Sequence, residues 1–164
     1  MRFGIFYEHQ LPRPWAEGSE LKLFQDALDQ VELGDRLGID YAWEVEHHFL
    51  EEYSHSSAPE VFLAAASQRT KRIRLGHGIV LMPPGYNHPA RIAERLATLD
   101  LVSNGRVEWG TGESASRAEL RASASRPRNA GRCGAKPPSR WRTCWRWTPT
   151  RAIRASTSRC PCAT

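Results

Sequence analysis

The chain has 164 residues, a formal net charge of +5 and two segments of very different composition. Residues 1–120 carry 12 basic and 18 acidic side chains, whereas residues 121–164 carry eleven basic side chains, no acidic one, all four cysteines and a single large aliphatic residue, Ile153. This composition excludes a hydrophobic core for the second segment, and the sequence shows no signal peptide and no apolar run that could span a bilayer, so we expect a cytoplasmic protein.

The beginning of the chain predicts a strand, a helix and a second strand. Residues 2–7 form a short apolar and aromatic run, which is typical of a buried strand. Apolar residues then recur at helical spacing through 20–37, and Gly38 follows as a C-cap, which indicates an amphipathic helix. Residues 41–45 predict the next strand, and a Glu-His-His triplet at 46–48 leaves its carboxyl end.

The following residues repeat this pattern. Residues 57–60 have the spacing of a capping box and predict the start of a second helix. The apolar run 73–82 predicts a third strand, Pro89 opens a third helix, and 106–110 predict a fourth strand that is followed by a loop over 111–116. Strands that alternate with helices pair in parallel, because the helix supplies the crossover. The predicted fold class is therefore α/β, either an open sheet or about four βα units of a (β/α)8 barrel.

Chemistry on such folds is expected at the carboxyl ends of the strands. The polar residues that the predicted elements place there are Glu8, His9, Glu46, His47, His48, His77, Glu113 and Ser114. The Glu46, His47 and His48 triplet is the most informative, because an imidazole exchanges protons near neutral pH and a neighbouring carboxylate can fix its tautomer. A metal site is disfavoured, because neighbouring side chains on an extended segment diverge and no His-Glu-x-x-His spacing is present.

Two glycine pairs interrupt the predicted strands, and each has two interpretations. Gly76 and Gly78 flank His77 without the spacing or the lysine of a phosphate-binding loop, so they either admit a flat group to the backbone or serve local packing. Gly110 and Gly112 similarly either admit a ligand to the end of the fourth strand or form a tight turn.

Five segments together resemble the bacterial luciferase-like flavin-dependent monooxygenases. They are residues 1–6, 43–49, 75–83, 88–89 and 103–107, which occur in the family's order and at matching intervals. The Glu-His-His-Phe element is similar to that of the alkanal monooxygenase branch. The resemblance covers nearly all of residues 1–118 and implies the N-terminal half of a TIM barrel.

The resemblance also implies a reaction and a cofactor. The family binds reduced FMN, forms a flavin C4a-hydroperoxide with O2 and inserts one oxygen atom into a small organic substrate, which is oxidoreductase chemistry. Deazaflavin F420 in place of FMN is the alternative, because residues 1–118 do not decide between them. For the intact protein the resemblance implies a separate flavin reductase and a dimer. No membrane partner is expected.

The resemblance assigns roles to particular residues. His47 corresponds to the family's catalytic histidine, and His48 and Glu46 shape the same wall of the site. The positions implied to bind the cofactor are His77, Gly78, Ile79, Gly112 and Glu113. The Gly78–Ile79 bond takes the place of a non-proline cis peptide behind the flavin ring. Gly112 stands where luciferase has a reactive cysteine, so no thiol chemistry is implied, and the phosphate-binding residues belong to later strands outside this chain.

The Arg-rich segment 121–164 has competing interpretations. Clustered Arg with interleaved Trp suits a nucleic-acid-binding arm on a non-enzymatic scaffold. Read one base earlier, however, Trp and Cys codons give Leu, Met or Val at the spacing of an apolar helix face. We therefore predict a frameshift near Leu120, a barrel domain over 1–120 and a disordered tail over 121–164, with impaired activity. Zinc is disfavoured, because paired Cys-x2-Cys spacings are missing and the segment has no His. Disulfides are disfavoured, because a cytoplasmic location is expected.

Overall fold

The computed structural model of the chain describes residues 1–82, 87–114 and 116–122. Strands and helices alternate along them as β1 (Gly4–Tyr7), α1 (Ser19–Leu37), β2 (Tyr41–Glu44), α2 (Pro59–Arg69), β3 (Arg74–Leu81), α3 (Pro89–Val102), β4 (Val107–Gly112) and α4 (Arg117–Ala122). The residues from 123 onward, which carry the predicted frameshifted tail, lie outside the described part of the chain, so that prediction stays a prediction.

The four strands form one parallel sheet in the order β1-β2-β3-β4. Tyr7 of β1 pairs with Glu44 of β2, and Glu44 pairs with His77 of β3, so the carboxyl ends of the strands lie at the same end of the sheet. The predicted α/β class, with strands paired in parallel through helical crossovers, is confirmed.

The hydrophobic core lies between the sheet and the helices. Its buried side chains include Ala27, Val31, Ala42, Phe62, Leu63, Ala66, Ile73, Leu75, Val80, Ile92, Leu99 and Val107. On the other side of the sheet the register aligns Phe6, Trp43 and Gly76, and we call this side the inner face. Phe6 there is 56% exposed. None of the helices in the described ranges has the length and apolar character that a membrane span requires.

Helix α1 ends as the sequence predicts and is joined to β3 by a carboxylate. Gly38 adopts a left-handed conformation with φ 86°, as a C-cap glycine does. The buried Asp35 carboxylate accepts hydrogen bonds from the N–H groups of Lys71, Arg72 and Ile73 at 3.0, 2.8 and 2.6 Å. Burial acts to raise the pKa of Asp35, but these donors and the Arg72 charge outweigh it and lower the pKa below its ordinary value.

The Arg106 guanidinium is buried and joins the ends of two helices to the sheet. It donates to Ser103 O at 2.7 Å, Thr70 Oγ1 at 2.8 Å, Ile73 O at 3.0 Å, Ser67 O at 2.7 Å and Thr70 O at 3.2 Å. Arg106 is only 9% exposed, so water has little access to its guanidinium. The five bonds to protein oxygens therefore satisfy N–H donors that would otherwise be buried without a partner.

Two local predictions are wrong. The capping box at 57–60 does not form, because Ala58 is the N-cap of α2, no side chain caps it, and the Glu60 carboxylate instead accepts a hydrogen bond from Arg95 Nη1 at 2.8 Å. The loop expected from residue 111 begins later, because Thr111 and Gly112 continue β4 and pair with β3. In both cases the partner comes from a distant part of the chain.

Candidate active site

The loop after β2 carries His47, whose imidazole lies between two carboxylates from distant parts of the chain. Nδ1 lies 2.9 Å from Glu119 Oε1, and Nε2 lies 3.6 Å from Glu8 Oε2. The His47 N–H donates to Ser56 O at 2.8 Å, and the Tyr53 ring packs edge-on at 5.6 Å between centroids. The His47 side chain is 26% exposed, so it is accessible to a bound molecule.

Glu119 is a site residue that the sequence did not predict. Its side chain is 3% exposed, Oε1 lies 2.9 Å from His47 Nδ1, and the same oxygen accepts a hydrogen bond from the His48 N–H at 2.9 Å. Ser114 donates its hydroxyl to Oε2. Burial acts to raise the pKa of Glu119, but the hydrogen bonds from Ser114, His48 and His47 outweigh it and lower the pKa.

The sequence contains one signal near Glu119, but that signal concerns the helix rather than the site. Ser116 precedes Glu119 by three residues, and the Glu119 N–H lies 3.4 Å from Ser116 Oγ, as at a helix N-cap. This spacing could have predicted the start of α4. The contact with His47 depends on how β2 and β4 are placed in the sheet, which no local pattern contains.

Glu46 connects His48 to the end of β3. Its Oε1 lies 3.1 Å from His48 Nε2, and its Oε2 accepts a hydrogen bond from the Leu81 N–H at 2.8 Å. Glu46 is 8% exposed, whereas the His48 side chain is 19% exposed. The predicted triplet is therefore present at the expected end of β2, with His47 bound to Glu119 and His48 bound to Glu46.

The His77 imidazole lies on the helix side of the sheet, away from the inner face. It is 2% exposed and shares a small cavity with Glu60, Ile92 and Arg95 of α2 and α3. Neither ring nitrogen has a hydrogen-bond partner among the described residues. Burial lowers the pKa of His77 to about 4, and the nearby Arg95 charge acts in the same direction, while Glu60 opposes it. The cofactor-binding role implied for His77 stays a prediction, and the structure places its side chain on the side of the sheet opposite the inner face.

The predicted cis peptide between Gly78 and Ile79 is wrong. Within the described residues the cis bond is Arg13–Pro14, and the Gly78–Ile79 bond is trans. The strand is irregular at this point for another reason. His77 pairs with Trp109 and Val80 pairs with Thr111, so two residues of β3 stand against one of β4, which is a β-bulge.

Gly76 of β3 and Gly112 of β4 each leave room for a neighbouring side chain. A Cβ on Gly76 would lie 2.2 Å from Cε3 of Trp43, so the flat group against this backbone is the chain's own indole. A Cβ on Gly112 would lie 2.2 Å from Cδ1 of Ile79 in the bulge. Gly112 thus belongs to a paired strand and not to a turn. Glu113, which follows it, is exposed at the end of β4.

A cluster of three buried polar side chains, His9, Glu44 and Ser56, lies next to the loop that carries His47. His9 Nε2 lies 2.9 Å from Glu44 Oε1, and Ser56 Oγ lies 2.5 Å from the same oxygen and 2.6 Å from Val45 O. Glu44 is 0% exposed, and burial raises its pKa, although the His9 and Ser56 contacts oppose the shift. Since Ser56 O also accepts the His47 N–H, this cluster fixes the backbone under the site.

Five side chains therefore come together at the carboxyl ends of the strands. They are Glu8, Glu46, His47, His48 and Glu119. Their chemistry is acid–base, because imidazoles exchange protons near neutral pH and carboxylates accept them. Within residues 1–82, 87–114 and 116–122, no group of three or more His, Cys, Asp or Glu side chains is arranged to hold a metal ion.

Known proteins are similar to this chain in sequence. Limonene 1,2-monooxygenase of Rhodococcus erythropolis is 43% identical over 113 residues, which are 67% of this chain and 27% of that protein. The oxygenase component of flavin-dependent trigonelline monooxygenase of Acinetobacter baylyi is 32% identical over 117 residues, which are 70% of this chain and 31% of that protein. The chain thus spans about a third or less of the length of these relatives.

A solved monooxygenase structure is similar to this chain in both fold and sequence. The crystal structure of monooxygenase RslO1 from Streptomyces bottropensis superposes with a TM-score of 0.66 at 39% identity, over 75% of this chain and 36% of that one. The family model described as luciferase-like monooxygenase matches residues 1–133, which extends past the boundary that the composition indicated near Leu120. The chain therefore belongs to the luciferase-like monooxygenase family.

Proposed function

We propose that the site is that of a flavin-dependent monooxygenase, which uses reduced FMN and O2 to place one oxygen atom in a small organic substrate. The observation that carries this proposal is His47, an accessible imidazole between the Glu119 and Glu8 carboxylates at the carboxyl ends of the strands. The relatives support the reaction class, because both are monooxygenases and one is described as flavin-dependent.

The inner face fits the ring of a flavin better than it fits the phosphate. Trp43 and Phe6 are aromatic there, and Phe6 is 56% exposed, so a flat apolar group would gain contact area. The Glu8 and Glu119 carboxylates lie beside His47 and would repel a phosphate. Cationic groups elsewhere in the protein would be needed to hold it.

A bound reduced flavin would supply the electrons that activate O2, and this chain's residues would control protons and water. Nε2 of His47 is the nitrogen that could take a proton from a bound substrate or give one to it, because Nδ1 is in hydrogen-bond contact with Glu119. Glu46 would hold His48 in place through its second hydrogen bond to Leu81. Phe6 and Trp43 would shield from water only the side of a bound group that faces the sheet.

We expect the isolated chain to turn over little or no substrate. An inner face with Phe6 half exposed does not enclose a reaction, and side reactions with water follow when a reactive centre is left open. We also propose that a separate reductase delivers the reduced flavin, because the trigonelline relative is described as an oxygenase component. A dimer of the intact protein stays a prediction.

Anaerobic titration of the purified full chain with photoreduced FMN tests this function. We expect saturable quenching of the protein's tryptophan fluorescence as reduced FMN is added, and weaker binding of oxidised FMN and of reduced F420. Any product that carries oxygen from ¹⁸O2 should fall about 100-fold in His47→Ala, as for a lost acid–base group, and should persist in His55→Ala, a histidine of the same loop. Absence of saturable binding, or a preference for F420, would refute the FMN assignment.

A further inference from the structure

We propose that Glu119 is a positioning residue that fixes the His47 imidazole with its hydrogen on Nδ1 and leaves Nε2, opposite Glu8, as the nitrogen that exchanges protons. This inference rests on the proposed function for its purpose. Its structural content concerns only this chain's own side chains.

The contacts of Glu119 determine which nitrogen of His47 carries the hydrogen. Oε1 accepts the His48 N–H at 2.9 Å, and Oε2 accepts the Ser114 hydroxyl, so both oxygens already act as acceptors. An ionised carboxylate has no hydrogen to donate. The 2.9 Å contact between Oε1 and His47 Nδ1 is therefore a hydrogen bond only if Nδ1 is the donor.

The Nε2 side of the ring has a different character. Glu8 Oε2 lies 3.6 Å from Nε2, which is longer than a hydrogen bond, and this buried oxygen has no hydrogen-bond partner among the described residues. In the neutral ring a lone pair on Nε2 faces a carboxylate oxygen, and neither atom donates. A proton delivered to Nε2 would give both atoms a partner, so this side is where a proton can be taken up and released.

The remaining neighbours do not compete for either nitrogen. The Tyr53 ring packs on His47 by its edge at 5.6 Å between centroids. Glu46 is committed to His48 Nε2 and to the Leu81 N–H. Among residues 1–82, 87–114 and 116–122, the charged groups that face His47 are Glu119, carried by α4, and Glu8, carried by the segment after β1.

Glu119 acts through His47 and not on a substrate, because its side chain is 3% exposed. It binds the β2 loop from a position 72 residues further along the chain. Fixing one tautomer in advance removes the cost of reorienting the ring when a proton moves. The carboxylate thus sets which atom reacts without contacting the reactants.

Nitrogen-15 correlation spectra of the labelled full chain test the proposal without any flavin. His47 is assigned from the peaks lost in His47→Gln, and the tautomer is determined from spectra at the alkaline end of a pH series. We expect the wild-type chain to show the Nδ1–H pattern. In Glu119→Ala the population should shift towards Nε2–H, which is the form favoured in free histidine.

Three matched variants distinguish the positioning role of Glu119 from a general disturbance of the protein structure. Glu119→Gln should retain Nδ1–H, because its amide oxygen can accept the same two N–H groups, and Glu8→Gln should also retain it. Glu20→Ala should alter only His55, whose Nδ1 lies 2.9 Å from the exposed Glu20 carboxylate. Circular dichroism verifies that each variant is folded.

The proposal is refuted if the wild-type ring carries its hydrogen on Nε2, or if a folded Glu119→Ala leaves the pattern unchanged. Should Glu119→Ala not fold, Glu119→Gln still tests it, since loss of the Nδ1–H pattern there would contradict the geometry. The expected tautomers together with failed FMN binding would refute the proposed function and leave this assignment intact.

Discussion

The Glu46 carboxylate accepts the Leu81 N–H at 2.8 Å and so joins the loop after β2 to the last residue of β3. Leu81 is 3% exposed, so water could not replace Glu46 as the acceptor for the Leu81 N–H. The same carboxylate holds His48 Nε2 at 3.1 Å. One side chain thus contributes both to the stability of the strand end and to the orientation of a site histidine.

Replacement of Glu46 should show this double role. In Glu46→Ala the buried Leu81 N–H loses its partner, which costs roughly 1–3 kcal/mol of the free energy of unfolding. Glu46→Gln should lose less, because the amide oxygen can still accept the N–H. Urea denaturation of both variants measures the difference, and equal stabilities for Glu46→Ala and the wild-type chain would contradict it.

Arg106 should be one of the most sensitive positions for stability. Its guanidinium makes five hydrogen bonds, and Arg106→Met would leave a buried hydroxyl and several buried carbonyls without a donor. We expect a loss of about 3–5 kcal/mol, because several buried acceptors lose their donor and each such loss costs roughly 1–3 kcal/mol. Thermal and urea unfolding provide the measurement.

Arg91 provides the matched control for Arg106. It pairs with Glu94 on α3, but the two side chains are 68% and 62% exposed, so solvent screens the pair. Arg91→Met should change stability by no more than about 0.5 kcal/mol. A loss at Arg106 as small as that at Arg91 would show that burial does not set the difference.

Gly76 should not tolerate even a methyl group. The added Cβ would lie 2.2 Å from Cε3 and 2.5 Å from Cζ3 of Trp43, so the indole or the strand must shift. Overpacking of this kind costs roughly 1–3 kcal/mol. The free energy of unfolding lost on Trp43→Ala should therefore be smaller in the Gly76→Ala background than in the wild-type chain. Additive losses in this double-mutant cycle would contradict the contact.

The sequence was sufficient to predict the repeating architecture but not several local partners. Apolar runs of strand length that alternate with helical periodicity predict the parallel sheet, since a crossover must be long enough to hold a helix. The capping box at 57–60 failed because Arg95, from another helix, takes the Glu60 carboxylate. Likewise Gly110 and Gly112 look like a turn, yet they face a bulged neighbour strand that local sequence does not reveal.

The site was predictable to the extent that its residues are adjacent in sequence. Glu46, His47 and His48 follow a strand, and the carboxyl end of a parallel strand is where binding groups are expected. His77 follows the same logic, but successive strand residues point to opposite faces and the register turns this ring towards the helices. Glu119 was not predictable, because only the fold brings it to His47.

His77 should give the chain a stability that falls with acid. Its pKa is lowered from 6.5 to about 4 in the folded state, so between these values the unfolded chain binds more protons. The stabilising effect of the neutral ring is complete above pH 6.5 and is lost as the pH falls towards 4. The shift corresponds to a loss on the order of 3 kcal/mol over the full window.

Replacing His77 by Leu should remove this pH dependence. His77→Leu keeps an apolar group in the buried position and eliminates two ring nitrogens that lack hydrogen-bond partners among the described residues, so at neutral pH it should be at least as stable as the wild-type chain. Urea denaturation between about pH 7.5 and about pH 5 should then show a shallower decline than in the wild-type chain. The control is His88→Asn, an exposed N-cap position whose side chain still accepts the Ala90 N–H, and it should retain the wild-type decline. Equal slopes in His77→Leu and the wild-type chain would show that another group causes the acid sensitivity.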